Sequence, residues 1–199
     1  MLKRYFNKNK IEAGIDEAGR GCLAGPVVAA AVILPDDYYN SELNDSKKLT
    51  EKQRYNMRND IIQNAISYSV VFVDNKVIDK INILNATYKA MNEAVKNLGI
   101  TPEFLIIDGN RFKNQTNIDY KCIVKGDSLY SSIAAASILA KTFRDDYMTE
   151  LHEIIPEYKL NKNKGYATAV HVEAIRKYGY SPYHRKSFHL KSDQLKLDF

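Results

Sequence analysis

The chain has 199 residues, of which 45% are hydrophobic and 27% charged, with a formal net charge of +5 at pH 7. This composition is typical of a soluble globular protein that forms one domain rather than two. No apolar run approaches the ~18 residues of a membrane helix, and no signal peptide follows the basic N-terminus. We therefore expect a soluble, cytoplasmic protein that does not enter a membrane.

The two cysteines, Cys22 and Cys122, lack the spacing of a zinc site or a disulfide framework. Both are predicted to be free, small apolar residues in a reducing compartment. The excess of positive charge is compatible with a polyanionic partner but does not establish one.

Apolar runs, turns and helical patterns alternate along the chain and predict an α/β fold with a mixed sheet in one domain. The GRGCLAG turn joins the first two strands and favours an antiparallel hairpin that carries a functional loop. Thr50 lies three residues before Gln53, which is the spacing of a capping box and predicts a helix from there to about residue 64. The other predicted elements are strands at 11–16, 26–34, 66–74, 104–107 and 120–124, helices at 83–98 and 169–178, and a long helix after residue 127 in which 133–138 forms a small-residue face.

Four acidic residues follow apolar runs and lie beside glycines, where a strand can end and a side chain can project into a site. They are Asp16, Glu17, Asp108 and Asp127. Carboxylates held side by side repel each other unless a cation lies between them, and Mg²⁺ and Mn²⁺ are the natural partners of carboxylate oxygens. Two such ions about 4 Å apart suit in-line displacement at phosphorus.

Competing catalytic motifs do not occur in the sequence. The chain has no GxxxxGK[ST] phosphate-binding loop, no GxSxG nucleophile elbow and no second histidine at zinc-protease spacing after His152. The carboxylate–metal interpretation of the four acids is therefore the one we retain. The remaining histidines, His171, His184 and His189, are interpreted as structural or as neighbours of phosphates.

Eight segments, in order along the chain, resemble the type 2 ribonuclease H family, and in particular bacterial ribonuclease HII. They are GIDEAGRGCLAGPV (14–27), NDSKKLT (44–50), NILNAT (82–87), IDG (107–109), KGD (125–127), AAASILAKTFRD (134–145), KGYAT (164–168) and HRKSF (184–188). A single DEAG tetrapeptide would be a weak match, whereas the ordered set is specific.

This resemblance implies an RNase H-like fold, a mixed β-sheet flanked by helices with a helical C-terminal part, over a catalytic domain at residues 9–190. It implies an endonuclease that hydrolyses the RNA strand of RNA–DNA hybrids and cuts 5′ of single ribonucleotides in duplex DNA. The implied reaction uses two Mn²⁺ or Mg²⁺ ions and leaves a 3′-hydroxyl and a 5′-phosphate. The implied roles are removal of misincorporated ribonucleotides and RNA primers, by a monomeric enzyme.

The family's site residues carry over position by position. Its four acidic, metal-binding and catalytic positions fall on Asp16, Glu17, Asp108 and Asp127. Its Gly-Arg-Gly motif, which reads the 2′-hydroxyl at an RNA–DNA junction, falls on Gly19, Arg20 and Gly21, and its stacking tyrosine falls on Tyr166. The expected phosphate contacts are Lys47, Arg185 and Ser187. Asp145, although it lies in a matching segment, is expected to form local ion pairs only.

The last residues resemble the short peptides that dock on the bacterial DNA sliding clamp. The proposed anchors in this tail, residues 191–199, are Gln194, Leu195, Leu197 and Phe199. An ordinary chain terminus, or a tail packed on its own domain, is the alternative.

Two other functions stay open on the sequence alone. One is a DNA nuclease on the same fold, against which Arg20 with its glycines and Tyr166 argue. The other is a hybrid-binding module without catalysis, in which four acids near phosphates would only repel the ligand.

Overall fold

Five strands form one mixed sheet in the computed structural model, which describes residues 2–189. In chain order the strands are β1 Glu12–Ala18, β2 Val27–Ile33, β3 Ser67–Val73, β4 Phe104–Asp108 and β5 Tyr120–Ile123. Their order across the sheet is β3-β2-β1-β4-β5. β1, β2 and β3 are antiparallel neighbours, whereas β1, β4 and β5 run in parallel. The C-terminal ends of β1, β4 and β5 therefore meet at one edge of the sheet.

Helices cover both faces of this sheet. They are α1 Glu51–Asn64, α2 Asn75–Lys96, α3 Ser131–Ile154, α4 Leu160–Asn163 and α5 Ala169–Tyr178, with 3₁₀ turns at Gly126–Ser128 and Pro156–Tyr158. α2 packs on one face, and α3 packs on the other together with α1. Within residues 2–189, no helix combines the length and the apolar character needed to cross a bilayer.

Alternate residues of β1 face these two layers, as the period of a strand requires. Ala13 and Ile15 are fully buried in the core shared with α2. Gly14 faces α3, where a Cβ atom would lie 2.2 Å from the backbone carbonyl carbon of Ser132. A glycine at this position therefore allows the helix to approach the strand closely. Asp16, two residues further on, points toward the same helix.

The predicted fold class, the hairpin and the first helix are confirmed. β1 and β2 pair antiparallel around the glycine-rich turn. Thr50 caps α1, since its hydroxyl accepts a hydrogen bond from the Gln53 amide while the Gln53 side chain accepts from the Thr50 amide. The predicted strands occur within one or two residues of their expected bounds, and α5 occupies residues 169–178 as predicted.

The second helix is longer than predicted. The prediction of 83–98 missed an additional helical segment at 75–81, whose first turn is capped by the Asp74 side chain. The two segments meet at Asn82, which has φ 64° and ψ 164° and whose side chain accepts a hydrogen bond from the Asn85 amide. Asn82 thus caps a helix that begins at residue 83. The preceding segment has apolar residues at helical spacing, Val77, Ile78 and Ile81, but it is only about two turns long and gives a weak signal.

Candidate active site

Asp16 lies at the end of β1, buried between the sheet and α3. Only 4% of it is exposed, and its carboxylate accepts hydrogen bonds from the Glu17 amide, at 2.7 Å, and from the Ser137 side chain. Burial raises the pKa of Asp16 well above its ordinary value, and the neighbouring charges of Glu17 and Asp108 raise it further. A cation that reaches this site would therefore stabilise the ionised form of Asp16.

Glu17 projects from the following position of β1 toward the opposite face. Arg20, at the start of the glycine loop, donates a hydrogen bond from Nη1 to Glu17 Oε1 at 3.0 Å. Burial nevertheless raises the pKa of Glu17, against the lowering effect of Arg20. The two consecutive acids therefore approach one edge of the sheet from its two faces.

Asp108 and Asp127 complete the acidic edge. Asp108 ends β4 and accepts a hydrogen bond from the Gly126 amide at 2.7 Å, and burial, followed by the charge of Asp127, raises its pKa. Asp127 is buried in the 3₁₀ turn after β5, where its carboxylate pairs with Lys47 Nζ at 3.0 Å. The parallel strands thus place the third acid beside the first, and the turn into α3 adds the fourth.

Three of the four acids line one cleft of about 300 Å³. Asp16, Glu17 and Asp108 line it directly, while Lys47, also in its wall, connects it to Asp127. Within residues 2–189, no three His, Cys, Asp or Glu side chains are grouped tightly enough to form a ready-made metal cage. The ammonium of Lys47 and the guanidinium of Arg20 instead offset the acids, whose oxygen donors are of the kind that Mg²⁺ and Mn²⁺ prefer.

The glycine loop, residues 19–26, contributes Gly19, Arg20 and Gly21 to the wall of the cleft. Two fully buried arginines hold this loop. The Arg185 guanidinium donates hydrogen bonds to the carbonyl oxygens of Gly19, Arg20 and Gly25 at 2.7–3.0 Å. This placement favours support of the loop over the direct phosphate contact that we expected of Arg185.

The second buried arginine, Arg144 of α3, lies beneath the same loop. It donates to the carbonyl oxygens of Ala24, Pro26 and Lys164 at 2.8–3.1 Å. Neither its burial nor its partners were predicted from the sequence. The available signal was an arginine that follows an almost uninterrupted run of small and apolar residues in α3.

Gly19 and Gly21 of the loop are glycines for different structural reasons. Gly19 has φ +87°, and a Cβ atom there would lie 2.0 Å from Arg144 Nε. Gly21, in contrast, would place a Cβ atom in open space. The first glycine is thus required by packing, whereas the second leaves the backbone open to a ligand in the cleft.

Tyr166 stands at the rim of the cleft with 43% of its surface exposed. Its hydroxyl contacts Cys22, and burial followed by this neighbour raises the pKa of Tyr166. Cys22 and Cys122 are both free, with Cys22 buried and Cys122 half-buried. Tyr166 therefore offers an accessible ring face on the same side of the cleft as the glycine loop.

The remaining predicted contacts differ in their placement. Lys47 lines the cleft, whereas Ser187 lies outside its wall and donates a hydrogen bond to Asp79 Oδ1 at 2.6 Å. Lys141 also lines the cleft and pairs with Asp145 at 2.6 Å, a contact that agrees with the local role expected of this acid. The clamp-binding residues proposed for the tail, Gln194, Leu195, Leu197 and Phe199, fall outside the described residues.

The sheet order, the flanking helices and the acidic edge define an RNase H-like fold, and comparisons with known proteins agree with this class. The model of the family Ribonuclease HII matches residues 13–191. The chain is 57% identical over 200 residues to Ribonuclease HII of Bacteroides thetaiotaomicron, with both chains fully covered. This protein belongs to the ribonuclease HII family and is an enzyme, an endonuclease of the ribonuclease H type.

Solved structures show the same fold. Ribonuclease H2 from Pyrococcus horikoshii has a TM-score of 0.75 at 26% identity, covering 89% of this chain and 93% of that one. A PCNA:RNase HII complex from Archaeoglobus fulgidus has a TM-score of 0.77 at 24% identity, covering 91% and 96%. Bst-RNase HIII in complex with Mn²⁺ has a TM-score of 0.69 at 22% identity, covering 84% and 62%.

Proposed function

We propose that this enzyme hydrolyses the RNA strand of RNA–DNA hybrids and cuts on the 5′ side of single ribonucleotides embedded in duplex DNA. The products would be a 3′-hydroxyl and a 5′-phosphate. One observation carries the proposal: a single cleft joins the acidic edge, with Asp16 and Glu17, to the glycine loop and Tyr166. Groups suited to cutting and groups suited to reading a sugar thus face the same ligand.

The four carboxylates are the residues that would hold two Mn²⁺ or Mg²⁺ ions. The donor set fits, since burial and like charges disfavour the ionised forms of Asp16 and Asp108 until a cation compensates them. Bound ions supply Lewis acidity that stabilises negative charge on the attacking and leaving oxygens at phosphorus. The Mn²⁺ named for the RNase HIII structure supports this choice of ion.

In this proposal, the glycine loop and Tyr166 at the rim of the cleft recognise the ribonucleotide. Gly21 leaves the loop backbone accessible, so that amide and carbonyl groups between Gly19 and Gly21 can meet a 2′-hydroxyl, which is both donor and acceptor. Arg20 stands beside them, and the exposed face of Tyr166 can stack on the sugar that follows the ribonucleotide. The open backbone thereby distinguishes RNA from DNA.

Phosphate contacts would come from exposed cations. The Lys47 side chain is 77% exposed, and its ammonium can leave Asp127 and bind a phosphate of the substrate instead. Arg185 acts indirectly here, by fixing the loop carbonyls. A contact between Ser187 and a phosphate stays a prediction, since its hydroxyl is exposed but already bonded to Asp79.

Cleavage of a defined duplex tests the proposed function. A DNA duplex with one ribonucleotide, incubated with Mg²⁺ or Mn²⁺, should be cut once on the 5′ side of that ribonucleotide, while an all-DNA duplex stays intact. Equal cutting of both would identify a DNA nuclease instead. Binding without cutting, with either ion, would leave only a hybrid-binding module.

Within a cell, we assign the enzyme to removal of misincorporated ribonucleotides and RNA primers, as a monomer in the cytoplasm with a catalytic domain at 9–190. Tethering to a DNA sliding clamp through residues 194–199 would raise its local concentration on DNA. The archaeal complex of an RNase HII with PCNA supports such an association. A clamp pull-down that is unaffected by deletion of residues 194–199 would contradict it.

A further inference from the structure

Two histidines form a buried pair behind the recognition wall, the name used here for the glycine loop (residues 19–26) together with Tyr166. His171, in the first turn of α5, and His184, in the segment after α5, are both fully buried. Their Nε2 atoms lie 3.1 Å apart, and the Tyr158 ring packs against the His184 ring at 4.8 Å between centroids. Neither histidine lines the cleft, so the proposed reaction does not use them directly.

The hydrogen bonds at the outer nitrogens determine the tautomer of each ring. The Ser181 backbone amide lies 3.0 Å from His184 Nδ1 and can only donate. The Ser181 hydroxyl, 2.7 Å from the same nitrogen, accepts from the Tyr183 amide and can donate its own proton to Nδ1, so we assign no proton to this nitrogen. The Tyr166 carbonyl oxygen lies 2.9 Å from His171 Nδ1 and can only accept, so that nitrogen must carry one.

These two constraints are independent of each other and agree on the inner nitrogens. Neutral His184 must hold its proton on Nε2, and neutral His171 must leave its Nε2 bare. One proton then occupies the 3.1 Å contact between the rings, donated by His184 to His171. The result is a one-directional chain of hydrogen bonds from Ser181 through both histidines to the Tyr166 carbonyl.

Both ends of this chain are attached to the recognition wall. At one end is the backbone of Tyr166, whose neighbour Gly165 accepts a hydrogen bond from the Leu23 amide of the glycine loop at 2.8 Å. At the other end, His184 precedes Arg185, which holds the carbonyls of Gly19 and Arg20. The histidine chain therefore joins two segments that contact the loop from different sides.

We infer that His171 and His184 are positioning residues for sugar recognition: their fixed-tautomer relay sets the place of Tyr166 relative to the glycine loop. The inference rests on the proposed function, because it gives the Tyr166 rim and the loop a joint task at the ribonucleotide junction. A misplacement of about 1 Å between groups that act together can cost orders of magnitude in rate. Loss of the relay should therefore weaken junction preference more than it weakens cleavage in general.

The tautomers can be measured without substrate. We expect ¹⁵N-resolved imidazole spectra near pH 7.5 to show His171 with its proton on Nδ1 and His184 with its proton on Nε2. The Nδ1–H form is the minor tautomer of free histidine, so its presence at His171 is a specific signature. The opposite tautomer at either residue would overturn the relay, whatever the enzyme cleaves.

Two substitutions of His171 test the roles of its two ring nitrogens separately. His171→Asn keeps a donor near the Nδ1 position, toward Tyr166, whereas His171→Gln keeps only a group near the Nε2 position, toward His184. Tyr158→Phe is the matched control, because it keeps the ring that packs against His184 and removes only the hydroxyl, which donates to the Gly179 carbonyl and takes no part in the relay. The readout is the ratio of kcat/KM on a single-ribonucleotide duplex to kcat/KM on a uniform RNA–DNA hybrid.

We expect His171→Gln to lower this ratio about tenfold, His171→Asn to lower it less, and Tyr158→Phe to leave it at the wild-type value. A purely structural role would instead reduce both rates by the same factor in all three variants, and that result would overturn the inference. If the wild-type enzyme leaves the single-ribonucleotide duplex uncut, the proposed function fails and the inference fails with it. If the wild-type enzyme cuts this duplex but the ratio is unchanged in the His171 variants, the proposed function stands and the inference alone fails.

Discussion

The two walls of the cleft are built in opposite ways. On the acidic edge, side chains project from rigid strand ends, and exposed cations such as Lys47 and Arg20 offset their charge. In the glycine loop the backbone at Gly19 to Gly21 lines the cleft, and the side chains that hold the loop, Arg144 and Arg185, are fully buried. The acids that we propose to hold the metal ions thus have exposed, exchangeable partners, whereas the loop that we propose to read the sugar has buried, fixed partners.

This difference has an energetic consequence. The Lys47 ammonium is exposed although its partner Asp127 is buried, so a cation that binds Asp127 can take the place of Lys47 without leaving a buried charge unpaired. A buried guanidinium whose partners are carbonyl groups is expensive to disturb, because each buried group left without a partner costs about 1–3 kcal/mol. The acidic edge can therefore rearrange when ligands bind, whereas the loop keeps its shape.

The largest expected effect tests the acidic edge. Asp16→Asn removes one negative charge from its centre, and we expect kcat to fall about a thousandfold or more while hybrid binding largely survives. Single-turnover cleavage and a binding titration measure the two separately. Asp119→Asn is the control, since that side chain is 80% exposed and precedes β5, at the opposite edge of the sheet. Near-normal turnover in Asp16→Asn would contradict the assigned site.

The next effect tests the loop. Gly19→Ala forces a Cβ atom against Arg144 at a positive φ, and we expect it to lower the free energy of unfolding by about 3 kcal/mol. Gly21→Ala meets nothing and should stay within about 0.5 kcal/mol of the wild type, while it obstructs the backbone that faces the ligand. Urea denaturation of both variants provides the comparison. Equal midpoints would show that the loop is not held as described.

Acid sensitivity tests the support behind the loop. Burial, and then the neighbouring His171, lower the pKa of His184 from 6.5 to about 4. Between these values the unfolded chain binds a proton that the folded chain refuses, so stability falls as the pH falls through this window, by about 2 kcal/mol for this group.

Denaturation midpoints of the wild type and His184→Gln at several pH values isolate this contribution, since the other titrating groups are shared. The wild type should lose more stability than the variant between pH 6.5 and about 4. Parallel pH profiles for the two proteins would remove His184 as the cause.

The smallest expected effect concerns Lys47, the exposed ion-pair partner of Asp127. Lys47→Met frees Asp127 and removes a positive charge from the edge, so we expect Mn²⁺ to bind about threefold more tightly, as measured by calorimetry. Lys48→Met, the substitution of an exposed neighbour, should leave Mn²⁺ affinity unchanged. Weaker Mn²⁺ binding in Lys47→Met would contradict the competition between the ammonium and the ion.

The sequence predicted the acids of the site more readily than the supports of the loop. Asp16 and Asp108 follow apolar runs, so local pattern places them where a strand can end, and the combination with Glu17 and Asp127 indicates a metal site. Arg185 was predicted from a motif to contact a phosphate, yet its partners lie about 160 residues away in the chain, at Gly19 to Gly25. Burial of this kind depends on long-range packing and leaves no periodic signal.

By itself, the sequence determined the fold class, most strand and helix bounds, and the family to which the chain belongs. These follow from local periodicity, turn chemistry and motif order, which act over a few residues. Only the tertiary structure decided that Arg144 and Arg185 hold the loop and that His171 and His184 form a buried pair. Such roles depend on which donor meets which acceptor once distant segments have packed together.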